Sequence, residues 1–470
     1  MGPRVLCLAG LLAPGLIAQG VSAYLPLQDA ELNAQLDALA VVGDLPTLRK
    51  PYSVQAVKAA LAAIRERHPD LHRELTEALR RYEQRAGLTR VEATLAASGG
   101  AGDGAVIPNG GGERMDSAYR VEATGQARLG DHLLLVAGGR ATDQPGKVTP
   151  AGSHLALGWK HLQVDVGYRD RWISPMQDSA MVLSTQAEPP LSVGVSSPMP
   201  LPQFWNLHYE VFLSRLGPLQ RVQEAGEVHW GRPYLLGTHL SLEPVRGWTV
   251  SATRMVQFGG DGQRVTPGRL WQAFFKPVQA DNLGSFGNQQ MALASRMNVQ
   301  GATPFSLYIE YAAEDTASLS NTRFGNLALS AGVFIPFLPE ALLGRRWAFT
   351  YEFSEWQDVW YVHSKYLDGY THEGVVMGHW GGEARVKGDG VGAAAHMVKL
   401  RWRPRPGWFG EGTLRLIRNE DYGLRRYETG RSLEVRVTGP LSLGRWGARV
   451  LGGQDVFGQR FARGEVSWLW

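Results

Sequence analysis

Two periodicities divide the chain. From Asp29 to about Ala86 apolar residues recur at helical spacing: Leu32, Leu36 and Leu39, then Val54, Val57, Leu61 and Ile64, then Leu71, Leu75, Leu79 and Tyr82. Ser53 is placed to cap the second run. His68-Pro69-Asp70 separates it from the third, because a proline drives the residue before it out of the helical region. The pattern predicts three amphipathic helices of about 10 to 15 residues, with Ala, Arg and Glu outside, too small to stand alone and therefore docked on a larger body. A packing spacer and a binding module are equally open readings of them.

Beyond Gly87 the period becomes two. "RVEATL" (Arg90 to Leu95), "YRVEAT" (Tyr119 to Thr124), "LQVDVGY" (Leu162 to Tyr168), "FSLYIEY" (Phe305 to Tyr311) and "LEVRVT" (Leu433 to Thr438) put apolar residues on one face. Charged or small polar residues take the other. The last residues, "EVSWLW", continue the pattern: Ala462, Gly464, Val466, Trp468 and Trp470 share a face fit for lipid, and Phe461, Arg463, Glu465, Ser467 and Leu469 share one fit for a wetter interior. Alternation alone leaves a two-sheet sandwich and a membrane barrel both open.

Connection lengths separate them. The breaks at Arg128–Asp131, Lys160–His161, Leu216–Leu219, Pro244–Gly247, Pro336–Arg345, Arg403–Trp408 and Pro440–Arg445 are short or moderate, whereas those at 97–116, 169–203, 258–287 and 357–390 are mostly much longer. Short turns on one rim and long loops on the other are the signature of an outer-membrane barrel, here of about 18 antiparallel strands. An even count returns the C-terminus to the rim where the first strand began. Trp470 is then the interfacial aromatic ending the closing strand, which the barrel assembly machinery would recognise.

Composition narrows the partners. A formal net charge of +4 over 470 residues, with no clustered Lys/Arg run, is too weak a footprint for nucleic acid. The start, MGPRVLCLAGLLAPGLIAQGVSA, has one basic residue, an apolar run and a small-residue ending at Ala23, as a cleaved secretory signal does. The sole cysteine, Cys7, leaves with it, which removes thiolate chemistry from the mature chain. After Ala23 no apolar stretch reaches the roughly 18 residues of a membrane helix. The expected organisation is a signal over 1–23, a periplasmic helical bundle over 24–87 and an all-β transmembrane barrel over 88–470.

Function must then lie in the loops. Three segments, 170–185, 257–289 and 351–388, hold Trp172, Trp271, Phe274, Phe275, Trp360, Tyr361, Tyr366, Tyr370 and Trp380 among Asp, Asn, Arg and Gln. Rings that stack on pyranose faces beside groups that pair with hydroxyls are what a sugar-binding surface requires, although such rings also build loop cores or the upper membrane girdle. Around Trp271, Arg269 and Lys276 could pair with uronates while Asp281 and Asn282 bridge neutral hydroxyls. His363, His372 and His379 lie near Ser364, Asp368 and Glu373, the ingredients of a Ser/His/acid hydrolase, but without a nucleophile elbow or a metal-binding spacing.

The same loops resemble the Wzi capsule assembly family. The resemblance rests on "LSLEPVRGWTVSATRMVQFGGDGQ" (Leu240 to Gln263), then Trp271, Asp281-Asn282, "GNQ" (Gly287 to Gln289) and "YLDGYTHEGVVMGHWGG" (Tyr366 to Gly382), in the family's order. It departs at "RWISPMQDSAMVLS", which keeps Trp172, Pro175, Ser179 and Leu183 but lacks the two glycines the family commonly has there. What the resemblance implies is an 18-stranded barrel closed to solutes, with a periplasmic helical bundle, that holds capsular or exopolysaccharide at the cell surface without catalysis, cofactor or metal. The candidate polysaccharide-binding residues are Trp172, Arg269, Trp271, Phe274, Asp281, Asn282, Trp360, Tyr366, Asp368 and Tyr370. The other expected partners are outer-membrane lipid and the assembly machinery, with the protein a monomer. The rival reading is a porin or substrate-specific channel whose lumen is lined by Arg120, Glu122, Asp165, Glu434 and Arg436. Loops at 169–203 and 257–289 folding inward would favour the first.

Overall fold

The computed structural model describes residues 20–100, 106–144, 146–224, 226–260, 266, 268, 287–314, 325–383, 391–423 and 425–470. Among these, eighteen antiparallel strands close into one barrel. In chain order they are β1 (Ala86–Gly100), β2 (Tyr119–Leu129), β3 (Leu133–Thr142), β4 (Lys147–Thr149 and His154–Trp159), β5 (Leu162–Gly167), β6 (Leu191–Ser196), β7 (His208–Arg215), β8 (Tyr234–Val245) and β9 (Trp248–Phe258). The second half comprises β10 (Gly287–Val299), β11 (Phe305–Glu314), β12 (Leu327–Ile335), β13 (Trp347–Trp356), β14 (Ala393–Trp402), β15 (Phe409–Asn419), β16 (Gly430–Pro440), β17 (Arg445–Gln454) and β18 (Arg460–Leu469). β18 closes on β1, with Phe461 opposite Gly100 and Leu469 opposite Glu92, and Trp470 exchanges both backbone bonds with Val91 at 2.8 and 3.1 Å.

The two faces divide as the alternation predicts. Val466 is 65% exposed while Arg463 and Glu465 are buried, and Leu95, Val121, Leu135, Leu155, Val193, Leu240, Leu307, Leu433 and Val450 join Val466 on an outer apolar band. Trp248, Trp402 and Trp470 are exposed at the short-turn rim, and Trp347 stacks on Trp402 with centroids 5.7 Å apart. Along one wall the inward charges are paired: Arg463–Glu465 at 2.6 Å, Glu465–Arg449 at 3.0 Å, Arg449–Glu434 at 2.7 Å and Glu434–Arg415 at 2.9 Å run across β18, β17, β16 and β15. A desolvated charge survives only with a partner, so these residues serve first as mutual counter-ions.

Two sequence-based boundaries differ. The break at Leu216–Leu219, taken as a short turn, lies on the long-loop rim, where the chain continues from β7 into a hairpin of Leu219–Glu224 and Glu227–Gly231 before returning to β8. The segment 169–203, read as one loop, contains β6. Its inward positions are Ser192, Gly194 and Ser196, so the alternation is faint; a side chain at Gly194 would meet Arg171 Nη2 at 2.7 Å and Asp165 Oδ2 at 3.0 Å. Those bulky charges fill the space that larger strand residues would need.

The helices are α1 (Ala30–Val42), α2 (Val54–Ile64) and α3 (Pro69–Glu83). Asp29 caps α1 and Ser53 caps α2, accepting from the backbone N–H of Leu32 and of Ala56, each at 3.1 Å. α2 and α3 bury one stripe, as predicted. α1 instead is buried on every side, including Glu31, Gln35 and Asp37, because it sits in the barrel mouth at the short-turn rim. Asn298 and Gln300 of the wall donate to Ala40 O and Val41 O at 3.0 and 2.6 Å, Arg445 holds Asp29 at 2.7 Å, and Arg401 and Lys50 hold Asp37 at 3.3 and 2.6 Å. The bundle is therefore a stopper as well as a docked appendage.

Candidate functional site

At the opposite rim the loop after β5 dives into the lumen. Its Trp172–Ile173 pairs antiparallel with Lys50–Arg49 from the chain between α1 and α2, so stopper and loop meet inside the barrel. Gln177 and Asp178 donate their backbone N–H groups to the Glu352 carboxylate at 2.7 and 3.0 Å, and Arg415 grips the Asp178 side chain from Nε at 3.0 Å and Nη2 at 2.8 Å. Burial by itself would raise the Asp178 carboxyl, but Arg415 and Lys399 outweigh it and hold the group below the usual carboxylate range. Met176, Ala180, Met181 and Val182 have no exposed surface. This is the inward folding expected of the first long loop; the corresponding part of the second lies outside the described residues.

The loop between β13 and β14 packs over it. Trp360, Tyr361 and Tyr366 are 0% exposed and Tyr370 is 1%. Tyr370 donates to Val182 O at 3.0 Å, Tyr366 to Gly259 O at 2.9 Å, and Tyr361 stacks on Tyr370 at 6.0 Å. The rings of Trp360, Tyr366 and Tyr370, expected to be presented to a sugar, thus form the core of a lid. Long loops without a wall to pack on bury apolar surface against each other, which was the alternative reading of these aromatics. Asp368 accepts from the backbone N–H of Gln220 at 2.7 Å and of Arg221 at 2.9 Å, and from Arg221 Nε at 2.8 Å, so it clamps the lid to the hairpin. Trp172 is half-buried, with its indole N–H on Met176 O at 3.1 Å. Arg269, Trp271, Phe274, Asp281 and Asn282 lie outside the described residues.

Among the described residues no Ser/His/acid geometry forms at the lid histidines. Each Nδ1 accepts a backbone N–H: His363 from Lys365 at 3.1 Å, His372 from Gly217 at 2.8 Å, His379 from Gly381 at 3.1 Å. Burial is the main cause holding all three neutral, with pKa values pushed down to about 4. Because the opened lid would titrate near 6.5, it binds more protons than the closed one between those values. Lid stability is full above pH 6.5 and is lost as pH falls toward 4, by on the order of 2–3 kcal/mol per histidine at most. Hydrogen exchange of residues 359–383 should accelerate as exchange-corrected pH drops from 7 to 4.5. Unchanged protection would contradict the burial of these imidazoles.

Between stopper and lid a polar cavity of about 570 Å³ runs along β1–β3 and β14–β18. It reaches from Asp29, Arg445 and Leu469 at the short-turn end to Asn109, Gln186 and Glu373 under the lid, and Trp172 forms part of its side. Four of the five residues assigned from sequence to a charged lumen, Arg120, Glu122, Glu434 and Arg436, line this cavity, whereas sequence reasoning missed the rim hairpin. The hairpin had a signal of its own: "LQRVQEAGEVHWG" carries two short alternating runs about Gly226, whose φ of 88° makes the turn.

The family model for the capsule assembly protein Wzi matches residues 89–388, from β1 through the lid. The chain belongs to the Wzi capsule assembly family. Its fold is similar to that of Wzi from Escherichia coli, described as an outer-membrane protein involved in group 1 capsule assembly and a carbohydrate-binding β-barrel. The two align at TM-score 0.70 and 14% identity, over 95% of this chain and 99% of that one. OccK5 (OpdH) of Pseudomonas aeruginosa aligns at TM-score 0.49 and 9% identity, over 82% of this chain and 97% of that one. OccK11 (OpdR) of the same organism aligns at 0.49 and 10%, over 82% and 95%. No curated protein matches the sequence. Family and barrel together make this Wzi-family chain an outer-membrane protein.

Proposed function

We propose that this protein holds exported polysaccharide at the outer surface of the outer membrane and so contributes to capsule assembly, with the lid side facing the medium and the helical stopper facing the periplasm after cleavage of a signal near Ala23. The observation that carries the reading is the family match across β1 to the lid. A lumen filled from both ends supports it, since a surface anchor has no need of a pore. The carbohydrate-binding description of the similar E. coli Wzi barrel points the same way. The chemistry asked of the protein is binding alone.

The test is the partition of polysaccharide between cells and medium. A strain lacking the gene should shed polysaccharide that the wild-type gene restores to the surface. Among the sequence candidates, Trp271→Ala combined with Asp281→Ala should restore the barrel but not the retention, each lost anchor being worth about 1–3 kcal/mol and multivalent attachment amplifying the loss. Full retention by the double variant at normal protein level would remove the 257–289 segment from the site.

One observation favours the channel reading: the cavity beside the stopper runs most of the barrel's height. Planar-bilayer recording decides between them. The anchor reading expects no steady conductance from the full-length protein, and large regular steps would refute it.

A further inference from the structure

The rim hairpin carries an exposed surface that the lid and barrel leave uncovered. Trp230 is 57% exposed and Val228 51%. Val228 and Trp230 alternate along the second strand and so share a face, and Arg232 follows just beyond the strand's end at Gly231. Gln223, opposite Val228, extends that face across the partner strand, and a register shift between Leu219 and Val222 sets Gln220 and Arg221 together opposite Trp230. Arg232 lies with its guanidinium carbon 5.5 Å from the Trp230 ring centroid. The Arg221 side chain remains 55% exposed although Asp368 Oδ1 and Leu367 O hold it at 2.8 and 3.0 Å.

The platform is stiff. Leu219 and Val222 are buried with Tyr366 under the hairpin. Its first strand is bonded on the lid side as well, Gln223 N to Lys365 O at 2.8 Å and Leu367 N to Arg221 O at 3.0 Å. Gly231 abuts Gly260 so closely that a Cβ there would lie 1.9 Å from the Gly260 carbonyl oxygen. A preorganised indole beside the held Arg221 guanidinium costs little to order on binding.

We propose that this face, carried by Trp230, Arg232 and Arg221, binds a strand of anionic polysaccharide. The indole offers a flat apolar surface to a pyranose ring, while Arg232 supplies a forked donor matched to carboxylate or phosphate substituents and Arg221, whose Nε and Nη2 already serve Asp368 and Leu367, adds its remaining N–H groups. Glu224 and Glu227 stand at the turn, so the cationic part of the face lies toward the barrel wall. Its height argues for a polysaccharide rather than the lipid surface. Wall pairing ends at Arg215 opposite Tyr234, and Trp230 is four residues further along the chain, at most about 13 Å beyond the wall. The inference rests on the retention reading above and gives it a ligand class and a surface.

The full-length barrel in detergent would be titrated with polygalacturonate, an anionic polymer, and with dextran, a neutral one. Wild type should bind polygalacturonate, more weakly as salt rises, and dextran little. Trp230→Ala with Arg232→Gln should weaken that binding at least about tenfold, while Trp230→Phe, which keeps a ring, retains most of it. The heat-modifiable gel shift of each variant checks that the barrel is closed. Equal binding by the double variant, equal binding of dextran, or no polygalacturonate binding by wild type would overturn the proposal. So would a loss confined to vesicles containing lipopolysaccharide, which would make the occupant a lipid headgroup. The gene-deleted strain separates this from the wider reading. If its polysaccharide retention is normal while the platform binds as stated, retention fails and the platform stands. If retention is lost on deletion but unaffected by the double variant, the platform fails.

Discussion

Glu210→Ala should loosen the barrel's interior and raise its conductance. Glu210 of β7 is 1% exposed and is shared by Arg49 at 2.9 Å, Arg171 at 2.8 Å and Arg169. Asp165 of β5 is the other acid in the cluster, at 2.9 Å from Arg169 and 3.2 Å from Arg171. The three arginines come from different parts of the closure. Arg49 belongs to the stopper segment, where it also donates to Ser197 O at 2.9 Å; Arg169 and Arg171 open the inward loop. Removing Glu210 leaves three buried guanidiniums facing one carboxylate. Breaking a buried ion cluster by deleting one member costs about 3–5 kcal/mol, because the remaining charges are neither solvated nor compensated. Stopper and loop are joined through Arg49–Lys50 and Trp172–Ile173, so both should become mobile together. The expected readout is a lower temperature for loss of the heat-modifiable form, together with conductance steps in planar bilayers that wild type does not show. An unchanged transition temperature and a silent bilayer would mean the cluster contributes little to closure.

Trp470→Asp should reduce the folded barrel in the outer membrane severalfold. The residue closes the sheet through its backbone bonds to Val91, and its ring is 38% exposed at the short-turn rim. An aromatic ring suits the interface, where an apolar body and a polar edge are both accommodated, and a carboxylate does not. Near the interface the direct energetic penalty is only about 0–1 kcal/mol, so a large loss of folded protein would point to assembly and not to the finished barrel. Pulse-labelled protein scored by heat modifiability measures this. Wild-type amounts of folded Trp470→Asp would rule out a role for the terminal aromatic in assembly.

The wall and the helices were legible in the sequence because each is specified by local rules. Period two with charge on the inner face, as at Arg120–Glu122 and Glu434–Arg436, marks a strand that separates lipid from a polar interior whatever its neighbours are. Leu71, Leu75 and Leu79 mark a helix stripe in the same way, and Ser53 its neighbour's cap. The family likewise followed from residues in linear order. β6 escaped because its inward residues had to be small to admit Arg171 and Asp165, which are distant in the chain. The use of the loop aromatics was decided only in three dimensions. Trp360, Tyr366 and Tyr370 read as a binding surface until the loop before β6 is seen folded beneath them, whereas Trp230, in the hairpin between β7 and β8, is an exposed ring. Composition sets which side chains can stack or pair, but exposure depends on what else occupies the same space. In a barrel closed by its own loops, that is set by contacts such as Tyr370 with Val182, 188 residues away in sequence, which no periodicity encodes.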